Sequence, residues 1–168
     1  MTLGWAQAIV LLVAFQRLEE MYRSRTNATR MVRQGGVESG QAQFPVIVVV
    51  HVGWLLALFF GVSAENIIIW PLVALYALLQ PVRYWVMGSL EDRWTAKIIV
   101  LPGQPLVTDG PYRYLRHPNY LLVALEIPLL PVALGAWEIA AIFTPLVLAT
   151  LIWRIRAEDR ALGRSGTG

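Results

Sequence analysis

The chain has no cysteine, which excludes disulfides, thiolate metal sites and a cysteine nucleophile. Histidine occurs twice, at His51 and His117, and neither has carboxylates at ligand spacing, so no metal site is expected. Charge is scarce: 15% of the 168 residues are Asp, Glu, Lys or Arg, against 57% hydrophobic, with a mean hydropathy of +0.54. A soluble domain of this length needs far less apolar surface, so a single domain, 1–168, embedded in a bilayer is expected. A dinucleotide-binding glycine fingerprint is missing, as are internal repeats. The net charge of +3 and pI near 9.6 do not indicate nucleic acid, because the basic residues flank apolar runs and so point to membrane lipids.

Those apolar runs predict an all-α integral membrane bundle of five transmembrane helices, at about 3–21, 44–62, 67–87, 120–134 and 137–157. Tyr22–Gln43, with Gly35, Gly36 and Gly40, reads as a connecting loop holding at most a short surface helix. Pro81 predicts a kink near Leu79, and Pro128 and Pro131 are expected to shorten the regular part of the fourth helix. Gly135-Ala136 turns the fourth into the fifth as a tight hairpin, and the tryptophans fall mostly near span ends. All 14 basic residues lie near the ends of, or after, spans one, three and five. The positive-inside rule therefore places the N-terminus outside, and the 88–119 segment and the C-terminus in the cytoplasm.

One polar island, Leu101–Tyr120, interrupts the apolar pattern. Pro102-Gly103, Pro105, Asp109-Gly110-Pro111 and His117-Pro118 break any continuous helix and free backbone groups for a ligand. Tyr112, Tyr114 and Tyr120 offer aromatic faces, Arg113 and Arg116 cations, and His117 a ring that can donate or accept a proton. The competing reading is a membrane-surface loop whose arginines meet lipid phosphates. Arg154 and Glu158, four apart, share one face of the helix leaving the last span, as a functional pair or as an ordinary surface ion pair. Glu126 is a carboxylate inside an apolar helix and must face protein, water or a partner. His51 is expected to hydrogen-bond across helices.

Gly110-Pro111-Tyr112-Arg113-Tyr114-Leu115-Arg116-His117-Pro118-Asn119-Tyr120, followed by Arg154 and Glu158-Asp159-Arg160-Ala161-Leu162, resembles the isoprenylcysteine carboxyl methyltransferase family over roughly Arg83 to Leu162. Leu122 stands where many members have glycine. The resemblance implies S-adenosylmethionine as cofactor, held by Gln104, Pro105, Leu106, Val107, Tyr112, His117, Pro118, Asn119, Tyr120 and Glu158, with Lys97 a looser match. It implies that Arg154, catalytic together with Glu158, contacts a lipophilic substrate drawn from the bilayer. No metal is required for methyl transfer. The N-terminal half, with Arg17-Leu18-Glu19-Glu20, Gly35-Gly36-Val37-Glu38-Ser39-Gly40 and His51, looks like the bacterial branch that O-methylates alkylpyrones, which makes an alkylpyrone or alkylresorcinol the expected substrate. The alternatives are a prenylcysteine carboxylate, an NADPH enzyme similar to the sterol reductases, and an inactive scaffold. The last is suggested by Gly163–Gly168 standing where the family continues through an aromatic segment.

Overall fold

The structure is a computed structural model that describes residues 4–63 and 65–163. The C-terminal stretch beyond Gly163, on which the scaffold alternative turned, lies outside the described residues. Five helices dominate: α1 (Trp5–Arg33), α2 (Gln43–Gly61), α3 (Trp70–Leu90), α4 (Pro118–Ala133) and α5 (Trp137–Ala161). Two short strands, β1 (Val37–Ser39) and β2 (Ile98–Val100), pair antiparallel with Val37 opposite Val100 and Ser39 opposite Ile98. The all-α expectation is thus met by the bundle and qualified by this ribbon.

By length and composition, α2 and α5 are able to cross a membrane, with mean hydropathies of 2.3 and 1.7. Their outward faces support this: Val49, Val52, Leu56 and Phe60 of α2, and Ile142, Leu146 and Ile152 of α5, are exposed. So much exposed aliphatic surface on neighbouring helices is what a lipid-facing wall requires. Inside, α4 packs between α3 and α5, and α2 packs on α5 and α1, around a core that includes Val10, Leu58, Leu130, Leu134 and Val147.

Three sequence expectations are corrected. The predicted Tyr22–Gln43 loop is helical as far as Arg33, because Ser24, Asn27, Ala28 and Met31 are buried on one face and carry the α1 pattern onward. Helix α4 runs unbroken from Pro118 to Ala133 through Pro128 and Pro131; packing on α3 and α5 compensates for the lost ladder bonds. Arg17 and Arg83, counted among the cytoplasmic flanks, lie inside the bundle. The expected hairpin between α4 and α5 is present. Gly135 turns at φ +69°, where an added Cβ would stand 2.9 Å from the Ile67 carbonyl oxygen, so only glycine fits.

The added length of α1 carries the polar segment. Asn27 Nδ2 donates to the carbonyls of Trp94 (2.8 Å) and Glu91 (3.3 Å), and Ser24 Oγ accepts from Ala96 N at 2.8 Å. The chain leaving α3 is thereby laid across α1, and its next turn joins β1 through β2.

Candidate functional site

The end of the bundle where α3, α5 and the polar segment meet is built from short-range geometry upward. Gly110 opens the motif at φ +57°, and a Cβ there would collide with the Ser89 side chain of α3. Close apposition on α3 therefore requires glycine at this point. A short 3-10 turn, Gly110–Arg113, follows, and α4 starts at Pro118, whose missing N–H costs nothing in a first turn. The turn brings Tyr112, His117 and Tyr120 to Glu158 and Asp159 in the last turns of α5.

Tyr120 is the hub. Its hydroxyl donates to Glu158 Oε2 in a short hydrogen bond and accepts from Arg154 Nε at 2.9 Å. The Arg154 Cζ also lies 5.8 Å from the Tyr120 ring centroid. The Arg154 guanidinium donates as well to the Ala96 carbonyl, so the segment laid on α1 locks a cation 7% exposed. Arg154 and Glu158 are joined through this phenol, which replaces the ordinary surface ion pair considered from their spacing. His117 stacks on Tyr120 with centroids 5.4 Å apart and planes 25° apart. Its Nε2 is 3.2 Å from Asp159 Oδ1, while Nδ1 lies 3.9 Å from Glu158 Oε1, too far for a hydrogen bond. Burial, and then the charge of Glu158, push the Tyr112 phenol well above its ordinary range, so it remains a proton donor at any physiological pH.

A cavity of about 650 Å³ opens at this constellation and runs between the helices. Every residue that the sequence assigned to the cofactor lines it: Gln104, Pro105, Leu106 and Val107, then Tyr112, His117, Pro118, Asn119, Tyr120 and Glu158, with Arg154 and Lys97. Lys97 is also tied to Glu38 of β1 at 3.0 Å. Leu122, in the glycine position, is instead packed in the core at 4% exposure. Two buried atoms at the mouth, His117 Nδ1 and Asn119 Oδ1, have no hydrogen-bond partner. Buried polar atoms without partners are rare in folded chains; both residues line the cavity, whose volume falls in the range of small-molecule sites, about 300–1,000 Å³.

Residues 72–164 match the Isoprenylcysteine carboxyl methyltransferase (ICMT) family. The chain belongs to this family. The ICMT family is one of membrane methyltransferases, in keeping with the apolar helices above. An uncharacterized protein of Bacillus subtilis, YpbQ, is 38% identical over 162 residues, covering 94% of this chain and 95% of its own length. An uncharacterized protein of Haemophilus influenzae is 24% identical over 162 residues, covering 92% and 91%. No solved structure matches.

Sequence reasoning missed several parts of the site. Asp159 fixes His117, yet nothing in its spacing marked it. Ser24, Asn27 and Ala96 support Arg154 from a segment read as loop. Deeper in the cavity, Glu126 was singled out alone, but the structure surrounds it: Arg83 Nη2 reaches it at 2.5 Å and Nε at 3.1 Å, Gln80 at 3.1 Å and Arg17 at 3.2 Å. Glu20 completes the group, 2.8 Å from Arg17 and 3.5 Å from Arg83. His51 does not bond across helices; its Nδ1 meets the Ile47 carbonyl of its own helix at 2.9 Å.

Proposed function

We propose that this ICMT-family protein transfers a methyl group from S-adenosylmethionine to an oxygen of a lipophilic substrate, with the loop end of the cavity as the cofactor site. The observation that carries the reading is the Arg154–Tyr120–Glu158 chain of hydrogen bonds at the mouth of a cavity that continues into the apolar bundle. Tyr112, Tyr120 and Pro118 offer walls for an adenine or a sulfonium. Glu158 offers a carboxylate, and the unpartnered His117 Nδ1 and Asn119 Oδ1 offer polar contacts. S-adenosylmethionine, when bound, supplies an electrophilic methyl on a sulfonium.

The chain's own part is to hold and align. Arg154 spends Nε and one Nη on Tyr120 and Ala96, and its remaining N–H groups are free to orient an anionic oxygen. A guanidinium beside the acceptor oxygen favours its anionic form. Leu106, Val107 and Leu162 add apolar lining to the cavity, which disfavours water beside the reacting oxygen. No general base is needed for an oxygen that arrives ionised.

The substrate proposed is a long-chain alkylpyrone or alkylresorcinol, whose acidic enol or phenol meets that condition. A prenylcysteine carboxylate meets it too and is the family's general substrate. In the same reading all five helices span the bilayer, with Arg17, Glu20, Arg83 and Glu126 neutralising one another inside it. The N-terminus lies outside, and the cofactor end faces the cytoplasm of a bacterium. A side-by-side assay in liposomes tests the substrate: an alkylpyrone is expected to yield a methyl ether. Formation of a carboxyl methyl ester from a farnesylated cysteine analogue, with no ether, would move the assignment to the prenylcysteine class.

A further inference from the structure

Helix α5 presents two different faces where it leaves the apolar bundle. Arg154 and Glu158 belong to the inward site, and the proposed chemistry leaves another side of the same turns unused. Ile142, Leu146, Ala149, Trp153, Arg156 and Arg160 recur at intervals of three and four, so they form one stripe along the helix. Every one of them is exposed. Along this stripe, aliphatic groups give way first to an indole and then to two guanidiniums.

Two observations put Trp153 at the membrane surface. Exposed tryptophan on a spanning helix concentrates at headgroup level. Helix α2, the other helix long and apolar enough to cross, begins beside it: Gln43 Nε2 donates to the Trp153 carbonyl at 3.2 Å. Arg156 and Arg160 then stand about 4.5 Å and about 10 Å further along the axis, at a rise of about 1.5 Å per residue. Helical side chains lean towards the N-terminal end of their own helix, which for α5 is back towards the bilayer. Arg160 shows that lean, since its Nε donates to the Arg156 carbonyl, one turn back, at 3.1 Å. The two cations therefore reach into the headgroup layer, about 5–7 Å deep on each side of the hydrocarbon.

Like charges four residues apart on a helix repel each other, and the acids nearby are already engaged. Asp159, three residues from Arg156, meets His117; Glu158 accepts from Tyr120; Glu38 of β1, which packs on α5, meets Lys97. Among the described residues, neither Arg156 nor Arg160 forms an ion pair. A zwitterionic headgroup leaves their charge uncompensated, whereas a phosphodiester with net negative charge matches it. We infer that the outer side of the α5 exit, Trp153, Arg156 and Arg160, is a binding site for the phosphate of an anionic membrane lipid. The site is independent of the methyl-transfer chemistry and rests on α5 crossing a bilayer. It fastens from outside the two helical turns that hold Arg154 and Glu158 on the inside.

The test is native mass spectrometry of the full chain in detergent with equimolar dioleoyl phosphatidylglycerol and dioleoyl phosphatidylcholine, read as the ratio of the binding constants for the first lipid. The wild type is expected to bind phosphatidylglycerol about ten- to thirtyfold more tightly, since each arginine near a membrane surface contributes about fivefold. Arg156→Gln combined with Arg160→Gln is expected to bring that ratio close to parity. Arg25→Gln combined with Arg33→Gln, at exposed arginines of α1, removes the same charge from elsewhere and is expected to leave the ratio unchanged. Equal binding of the two lipids by the wild type, a preference that survives the α5 substitutions, or one lost equally with the α1 substitutions would overturn the site.

Discussion

At the scale of the residue, Tyr120 joins Arg154 and Glu158 through its hydroxyl. Their spacing on one helix face was legible in the sequence, because four residues bring side chains into line. The phenol that bridges them was not legible as a bridge, since it arrives from another helix and depends on how α4 meets α5. Removing that hydroxyl in Tyr120→Phe leaves the ring and the packing but deprives Glu158 of a donor and Arg154 of an acceptor. Such a loss costs about 1–3 kcal/mol, so thermal stability is expected to fall, and methyl transfer to a lipid acceptor to fall about 5- to 150-fold in kcat/KM. Unchanged kinetics in that variant would show that the bridge has no part in the reaction. His51 shows where residue-level expectation failed: a histidine in an apolar helix satisfies itself most cheaply on the carbonyl one turn back, and no sequence pattern distinguishes that bond from one across helices.

Among the elements, α1 departs most from its sequence pattern. Glycines at 35, 36 and 40 and a run of polar residues concealed a helix whose buried face is polar, Ser24 and Asn27 being chosen for bonds to the 91–96 backbone. Asn27→Ala removes two of those bonds. Trypsin is then expected to cut at Arg93 markedly faster than in the wild type; equal cleavage rates would mean that the segment is held by other contacts. Helices α3 and α4 are joined to α1 by the Arg17–Glu20–Arg83–Glu126 group. Breaking such a buried set from one side leaves a charge unpaired, at a cost of about 3–5 kcal/mol. Glu126→Ala should therefore lower the melting temperature in detergent strongly, and Glu126→Leu combined with Arg83→Leu should recover most of the loss. A double variant as unstable as the single one would contradict this account of the group. From the sequence Glu126 could be found but its partners could not, because they come from two helices remote in the chain.

For the whole molecule, the one-sided placement of basic residues predicts orientation, and the burial of Arg17 and Arg83 leaves that asymmetry intact, since the opposite loops carry only Glu65 and Glu138. Cysteines introduced at Ser63 and Gly135 should react with an impermeant reagent from outside intact cells, whereas one at Gly103 should not; labelling at Gly103 would reverse the topology. Helix number and order were legible because long apolar runs separated by polar and proline-rich breaks mark the helices. The β1–β2 ribbon was not, since strands this short have no period to read. What joins orientation, bundle and site is the claim that the cavity mouth holds S-adenosylmethionine. Calorimetry with S-adenosylhomocysteine on the purified full-length protein tests it most directly. The account predicts saturable binding, weakened by about 1–3 kcal/mol in Glu158→Ala as a charge-assisted hydrogen bond is lost; no binding of S-adenosylhomocysteine alongside tight binding of NADPH would contradict it.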